Sequence, residues 1–280
     1  MKKFKELLFG PGGIPGTAKG KGTARGVLEV RKLGLGSMEL EFVRGVNLSQ
    51  EKALEVAKAR EETGVELTVH GPYYINLNSA NPAKKKASME RILKTARIAH
   101  ACGAWSITFH AAYYQKTPEK KVYDAVKKAL KEIVKTLDNE GIKIWIRPEV
   151  SGKPTQFGSL EETVRLSQEI EMVAPCIDFA HLHARTNGMY NTRKEWKHVL
   201  ELVEKELGKQ ALKQMHIHLS GIEYSEKGER RHLMLDDSDL DWKELLRVWK
   251  EYRITGCVVS ETPDPTAGAL QMKKEWKKIR

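Results

Sequence analysis

The sequence lacks the features that mark membrane-spanning or disulfide-stabilised secreted proteins. Its three cysteines, Cys102, Cys176 and Cys257, lie far apart and show no CxxC spacing, so we expect no disulfide framework. No apolar run approaches the roughly 20 residues needed to cross a bilayer. Residues 1–9 lack the long apolar segment and small-residue cleavage site of a signal peptide. These absences predict a soluble, cytoplasmic protein.

The sequence also lacks a phosphate-binding loop and an interdomain linker. No Gly-Lys-Ser/Thr phosphate loop follows the first predicted strand, so we predict no nucleotide site of that type. No linker divides the chain into two parts. The loop at residues 9–26 is instead rich in glycine and basic residues and precedes a short predicted helix near residues 24–33.

The chain carries an excess of positive charge. Lys and Arg number 48 against 37 Asp and Glu, which gives a formal net charge of +11. An excess of this size favours polyanionic partners through neutralisation of phosphates. The alternative is a set of solvated helix faces rich in Lys and Glu, such as residues 194–209, of the kind that heat-stable proteins carry.

Short apolar runs of strand length alternate with helical stretches along the whole chain. The predicted strands are Lys5–Phe9, Met38–Val43, Glu66–His70, Trp105–His110, Lys143–Glu149, Ala174–Phe179, Gln214–Leu219 and Gly256–Glu261. The predicted helix starts are Ser49, Asn81 before Pro82, Thr117 before Pro118, Ser159 with Glu162, and Ser238 with Asp241. Eight such units in about 250 residues match a closed barrel of parallel strands. We therefore predict an α/β fold, a single (β/α)8 TIM barrel domain over residues 1–280.

Histidine and acidic residues recur at the C-terminal tips of six consecutive predicted strands. They are His70, His110, Glu149, Asp178 with His181, His216 with His218, and Glu261. In a (β/α)8 barrel these tips converge on one pocket. One histidine at a strand end is more often structural than a ligand, but six equivalent placements favour a metal site. Mixed nitrogen and oxygen ligands suit Zn²⁺ or Mn²⁺, and His216, two residues deeper than His218, is expected to support the ligands.

An ordered set of motifs surrounds these tips. It comprises His70-Gly-Pro-Tyr-Tyr-Ile-Asn-Leu, Phe-His110, Pro-Glu149 followed by Gln156-Phe-Gly158, Ile-Asp178-Phe-Ala-His181, His218-Leu-Ser-Gly, Arg-His232-Leu and Glu261-Thr-Pro-Asp-Pro. Together the motifs resemble the endonuclease IV family of apurinic/apyrimidinic endonucleases, within the xylose isomerase-like barrels, over nearly the whole chain.

The resemblance implies three Zn²⁺ ions and a role for each residue. His70 and His110 would bind the first ion, and Glu149 would bridge it to the second. Asp178, His218 and Glu261 would complete the second site, and His181 and His232 match two ligands of the third. Glu149 and Glu261 would position the nucleophile, and Tyr73 matches an aromatic residue that takes part in DNA binding.

The sequence departs from the family at the third ion. The family's remaining ligand there is an Asp two residues before the second histidine, a position held in this chain by Arg230, with Glu229 one residue off register. The resemblance also provides no match for the family's inserting arginine, and Lys19, Lys21 and Arg25 are the candidates in the first loop.

The function that follows is zinc-dependent hydrolysis of the phosphodiester 5′ to an abasic site in double-stranded DNA, performed by a monomer with two or three ions. Two alternatives remain open at this stage. One is a sugar isomerase or epimerase of the related barrels, which use one divalent ion. The other is a protein that binds damaged DNA without cutting it.

Overall fold

A computed structural model describes residues 3–279, in which twelve strands and nine α-helices form one α/β barrel. The strands are β1 (Leu7–Pro11), β2 (Ser37–Glu41), β3 (Glu66–His70), β4 (Ser106–Phe109), β5 (Ala112–Tyr113), β6 (Trp145–Pro148), β7 (Gln156–Phe157), β8 (Cys176–Asp178), β9 (Met215–Leu219), β10 (Gly221–Ser225), β11 (Gly228–Leu233) and β12 (Gly256–Ser260). The helices are α1 (Thr23–Lys32), α2 (Gln50–Thr63), α3 (Pro82–Ala101), α4 (Glu119–Asn139), α5 (Leu160–Glu169), α6 (Phe179–Arg185), α7 (Arg193–Leu207), α8 (Trp242–Glu251) and α9 (Pro265–Lys278).

Eight of these strands are parallel and close into a barrel. Two parallel ladders run in the orders β1-β12-β9-β8 and β2-β3-β4-β6. Isolated parallel bridges join the ladders, with Gly12 opposite Glu39 on one side and Glu149 opposite Cys176 on the other. The predicted (β/α)8 fold is confirmed, and all eight predicted strands lie at the expected places.

Helices cover the outside of the barrel, so its strands are buried on both faces, as is usual for parallel sheets. Every residue of β9 and of β12 is buried, for example. The polar residues that face the barrel interior therefore have to find partners within it. No helix within residues 3–279 combines the length and apolar character needed to span a membrane.

Local capping explains where the helices begin. Ser49, Asn81 and Ser159 accept hydrogen bonds from the first turns of α2, α3 and α5, as predicted. The start of α4 was predicted one residue too early: Pro118 has an extended ψ of 137° and occupies the cap itself in place of Thr117. Asp241 alone caps α8, because the Ser238 hydroxyl donates to the Ile222 carbonyl in the neighbouring hairpin.

Two short antiparallel additions on the C-terminal face of the barrel were not predicted. Strands β5 and β7 pair beyond β4 and β6, and β10 and β11 form a hairpin directly after β9. All four strands are short and lack an apolar run, so the sequence contains little to reveal them. The hairpin matters for function because it carries His232 over the barrel mouth.

Candidate metal centre

The first group of converging side chains consists of His70, His110 and Glu149. His70 ends β3, and the other two residues directly follow β4 and β6. Both imidazoles face the same carboxylate oxygen, with Glu149 Oε2 lying 3.2 Å from His70 Nε2 and 3.6 Å from His110 Nε2. Three potential ligands from three neighbouring strands thus meet at one point.

The second group shares Glu149 and adds the ends of three further strands. Its members are Glu149, Asp178, His218 and Glu261, whose ligand atoms all lie within 4.8 Å of one another. His218 Nδ1 is 3.4 Å from Glu149 Oε1 and 3.3 Å from Glu261 Oε1. Glu149 therefore belongs to both groups and joins them.

The third group lies over the barrel mouth and contains His181, His232 and Glu261. His181 comes from α6, and His232 comes from the hairpin strand β11. Their Nε2 atoms are only 3.3 Å apart. The structure thus brings all eight residues predicted as metal ligands into one pocket.

A β-bulge brings a ninth side chain, Glu229, into the third group. The register of the hairpin pairs Arg231 with Glu223 and then Glu229 with Tyr224, so Arg230 is the extra residue of the bulge. Glu229 consequently lies 3.5 Å from His181 Nε2 and 3.8 Å from His232 Nε2. Arg230 instead forms an ion pair with Glu223 outside the pocket, 2.9 Å away.

The bulge explains why Arg230 does not disrupt the third group. By position along the chain, Arg230 replaces an acidic residue and suggests a defective third site. The bulge restores an acidic side chain from the neighbouring position, because one inserted residue moves the preceding residue to the other face of a strand. Strand alternation read from the sequence alone cannot reveal this shift.

Hydrogen bonds to the backbone fix the tautomers of three of these histidines. The Nδ1 atoms of His70, His181 and His232 lie 2.7 to 3.0 Å from the carbonyl oxygens of Gly71, Val150 and Glu261 respectively. A carbonyl can only accept, so each Nδ1 carries the hydrogen and each neutral ring turns the lone pair of Nε2 into the pocket. The facing Nε2 atoms of His181 and His232 then need a cation or a proton between them.

The carboxylates of the pocket also retain unused acceptors. Glu149 Oε1 and Asp178 Oδ2 are buried without a hydrogen-bond partner, as is His218 Nδ1. Buried acceptors of this kind are costly unless a cation or a donor satisfies them. This donor set, with histidine nitrogens and carboxylate oxygens in the same pocket, fits Zn²⁺ or Mn²⁺.

Neighbouring ionisable groups of the pocket shift one another's pKa values. Burial alone would raise the pKa of Glu149, but the imidazoles of His110 and His218 outweigh it and hold that pKa well below its usual range. Burial raises the pKa of Asp178 to about 6. Burial opposes protonation of His70, yet the Glu149 carboxylate outweighs it and raises the pKa of His70 to about 10. Without metal ions, protons therefore occupy part of the pocket.

This protonation predicts that metal uptake releases protons. The raised pKa of His70 means that its proton is present at neutral pH and must leave when a cation binds, so affinity for Zn²⁺ should fall as pH falls below about 10. For each proton displaced, the affinity should weaken about tenfold per pH unit. Calorimetric titration in buffers of different ionisation enthalpy measures this release, and His70→Asn should release fewer protons. Equal affinity at pH 6 and pH 8 would contradict the prediction.

A buried carboxylate behind the pocket was missed by the sequence analysis. Glu39 of β2 lies 2.9 Å from His218 Nε2 and 2.8 Å from His216 Nε2. His216 in turn contacts the Ser106 hydroxyl at 3.0 Å, which supports its predicted place behind the ligands. Burial would raise the pKa of Glu39, but these two histidines hold it far below its usual range. Glu39 thus forms a hydrogen bond with His216 and an ion-pair contact with His218, in the position of the outer carboxylates that support metal-binding histidines.

The signal for this residue was present in the sequence. Glu39 and Glu41 alternate with Met38, Leu40 and Phe42 in the second predicted strand. Alternation of this kind places both carboxylates on the inner face of the barrel. Glu39 is fully buried there, whereas Glu41 lies nearer the open end and is exposed.

Exposed aromatic side chains follow the barrel strands β3 and β4. Tyr73 is 57% exposed, and its ring lies 5.9 Å from that of His70. Tyr74, in the loop after β3, and Tyr113, in β5, are also exposed. Tyr73 therefore offers an exposed aromatic face beside the metal pocket.

Comparison with known proteins identifies the family. The family model described as xylose isomerase-like TIM barrel matches residues 27–280. The chain belongs to this family. An uncharacterized protein of Methanocaldococcus jannaschii is 41% identical over 279 residues, which covers 100% of both chains. A probable endonuclease 4 of Mycoplasma pneumoniae is 25% identical over 202 residues, or 70% of this chain and 68% of that protein.

Solved structures of low sequence identity share the fold. Endonuclease IV from Thermus thermophilus superposes with a TM-score of 0.71 at 17% identity and covers 98% of this chain and 100% of its own. A D-tagatose 3-epimerase-like protein superposes with a TM-score of 0.74 at 18% identity and covers 97% of this chain and 96% of its own. Endonucleases and sugar epimerases thus share this barrel, and the side chains of the pocket must distinguish between them.

Proposed function

We propose that the protein is a metal-dependent endonuclease that hydrolyses the phosphodiester 5′ to abasic sites in double-stranded DNA. The observation that supports this most strongly is the presence of three adjoining ligand groups in one pocket, joined by Glu149 and Glu261. A site for one ion needs only the second group. Clustered divalent ions suit phosphoryl displacement, because they lower the pKa of a bound water and stabilise the leaving oxygen.

We assign the first two groups to two ions and the third group to a third. His70 and His110 would hold one ion and share Glu149 with a second, which Asp178, His218 and Glu261 complete. His181, His232 and Glu229 would hold the third. Zn²⁺ fits the donor set best, and Mn²⁺ is the alternative.

Three carboxylates of the proposed centre would have separate roles in the reaction. The carboxylates of Glu149 and Glu261 lie 3.4 Å and 3.3 Å from His218 Nδ1 and would orient the attacking water. Glu261 keeps its charge, because His218 outweighs the effect of burial and lowers the pKa of Glu261 to about 2. The Glu39 carboxylate faces Nε2 on the back of the His218 ring, while Nδ1 faces the carboxylates of the pocket.

The loops around the pocket suit a DNA duplex. Lys19, Lys21 and Arg25 are exposed on the segment after β1, where they can meet backbone phosphates. Tyr73 stands beside His70 and offers a face against which a displaced sugar or base can stack. Action on chromosomal DNA agrees with a cytoplasmic location, and a single chain supplies every residue of the proposed centre.

Incubation of metal-reconstituted protein with a duplex that contains one abasic analogue tests this function. We expect incision on the 5′ side of the lesion, leaving a 3′-hydroxyl, and no incision of the undamaged duplex. Salt should inhibit binding steeply, because phosphate contacts release counterions. Tight binding without any product would instead support a protein that recognises damage without cutting.

Glu229 provides a prediction specific to this chain. Glu229→Gln should weaken binding of the third ion at least about tenfold, because it removes a charge that faces His181 and His232. Arg230→Ala is the matched control, since Arg230 points away toward Glu223. Elemental analysis after dialysis should show about one ion fewer per chain for the first variant only. Loss of the ion from the Arg230 variant would contradict the assignment.

One observation favours a sugar epimerase as the second candidate. The second ligand group could hold one ion by itself, and a cavity of about 550 Å³ lies between the loop after β1 and the start of α9. Glu41 and Lys19 line that cavity and could bind sugar hydroxyls. A single ion per chain together with turnover of a free ketose would favour this function over the nuclease.

A further inference from the structure

A second cavity lies at the opposite end of the barrel from the proposed metal centre. It has a volume of about 400 Å³ and is lined by residues at the N-terminal ends of β6, β8 and β9, and by α5 and α7. His218 lies near the far end of β9, whereas Met215 at the start of that strand faces this cavity. Neither Glu229 nor any of the eight proposed ligands lines it. His216, which lies behind the ligands, is shared between the cavity and the surroundings of the metal centre.

The cavity contains a buried guanidinium without an acidic partner. Arg147 is only 3% exposed. Its two terminal nitrogens donate to the carbonyl oxygens of Pro175 and Gln214, each at 2.8 Å, and its Nε has no hydrogen-bond partner. Within residues 3–279, Arg147 forms no ion pair with a carboxylate, and its titratable neighbours include the thiols of Cys176 and Cys257. A buried charge of this kind is costly unless an opposite charge accompanies it.

The surroundings of Arg147 compensate this charge only in part. The guanidinium carbon lies 5.0 Å from the ring centre of Trp105 and 5.3 Å from that of Trp145. Such cation–π contacts contribute modestly compared with a charge-assisted hydrogen bond. Gln214, which is 7% exposed, adds a side-chain amide, of which only the NH2 group can donate to an anion. At the polar end of the cavity, the Arg147 Nε donor is left without a partner.

The remaining walls of the cavity are mainly apolar. Val173, Ile177, Val203 and Leu207 line the passage between α5 and α7. At its mouth the Gln168 amide donates to the Glu206 carboxylate at 2.7 Å, which connects the two helices. Concave, mostly apolar cavities with a few convergent polar groups are typical of sites for small organic molecules.

We propose that this cavity binds a small organic carboxylate, with its anionic group on Arg147 and its apolar body along the passage between α5 and α7. The occupant would provide the negative charge that the buried guanidinium lacks, and its chain would cover the apolar walls. This site is independent of the proposed nuclease function.

Hexanoate and hexanamide test the proposal, because they share their apolar chain and differ in charge. Calorimetric titration of the wild-type metal-loaded protein should show saturable binding of hexanoate at least about tenfold tighter than that of hexanamide. Saturating hexanoate should raise Tm by about 2 to 5 °C. Inorganic phosphate, which has charge but no apolar body, should bind more weakly than hexanoate. No saturable hexanoate binding, or equal binding of the amide or of phosphate, would overturn the proposal.

Variants locate the binding and separate it from the metal centre. Arg147→Gln should weaken hexanoate binding about 10- to 100-fold. Ala211→Phe should also weaken it, because Ala211 lines the cavity and a larger side chain narrows the passage while Arg147 remains. Arg165→Gln is the control, since Arg165 also lies over an aromatic ring, that of Tyr123, but outside the cavity. Unchanged binding by Ala211→Phe at equal metal content would place the carboxylate on the metal ions and refute the site.

Discussion

Replacement of Glu149 by Gln is expected to lower the rate of incision at an abasic site by about 10³-fold. Glu149 faces the ligand atoms of both His70 and His218, so the substitution removes the one charge shared by two proposed ion sites. Metal ions contribute several kcal/mol of transition-state stabilisation, and about 4 kcal/mol corresponds to a thousandfold rate effect. Single-turnover incision of a duplex with one abasic analogue measures this loss.

The matched control is Glu161→Gln, which removes one carboxylate from the exposed first turn of α5. Its rate should equal that of the wild type. Thermal unfolding of both variants verifies that they are folded before rates are compared. Wild-type rates in the Glu149 variant would remove Glu149 from the reaction and would end the proposed mechanism.

Removal of metal ions should lower the thermal stability by roughly 15 °C or more. Buried acceptors of Glu149, Asp178 and His218 have no partner in the protein, so cations are expected to stabilise the folded state strongly. A ligand at about 1,000 times its Kd stabilises by about 4.1 kcal/mol per site. Two sites would give about 8 kcal/mol, and 1 kcal/mol shifts Tm by about 2 °C in a chain of this length.

Calorimetric melting before and after treatment with a chelator measures this change. The double variant Glu149→Gln and Glu261→Gln serves as the control, since it lacks the carboxylates that the ligand groups share. Its melting temperature should change little with chelator. A wild-type protein that melts at the same temperature with and without chelator would show that the pocket does not depend on cations for its stability.

The fold and the main ligand residues could be predicted because both depend on local patterns. Each barrel strand is a short apolar run followed by a capped helix, so order along the chain determines the topology. The ligands end those strands, and barrel closure brings strand ends together whatever their separation in sequence. His70 and Glu261 are 191 positions apart by their numbering, yet this rule predicted their common pocket.

Features that depend on tertiary contacts could not be predicted in this way. The bulge at Arg230 exists only once β10 and β11 pair, and it decides that Glu229 and not Arg230 faces the pocket. Glu39 becomes a support for His218 only when β2 and β9 face each other across the closed barrel. Arg147 was an ordinary strand residue in the sequence, and its lack of an acidic partner appears only from the surrounding packing.

Crystallographic anomalous scattering at the zinc absorption edge tests the central claim most directly. Crystals of the protein purified with Zn²⁺ should show two or three anomalous peaks, each surrounded by one of the three ligand groups and at least two of them in contact with Glu149 or Glu261. A pocket without a peak, with His70, Asp178 and His181 making hydrogen bonds to water alone, would contradict the account of this protein as a metal-cluster enzyme.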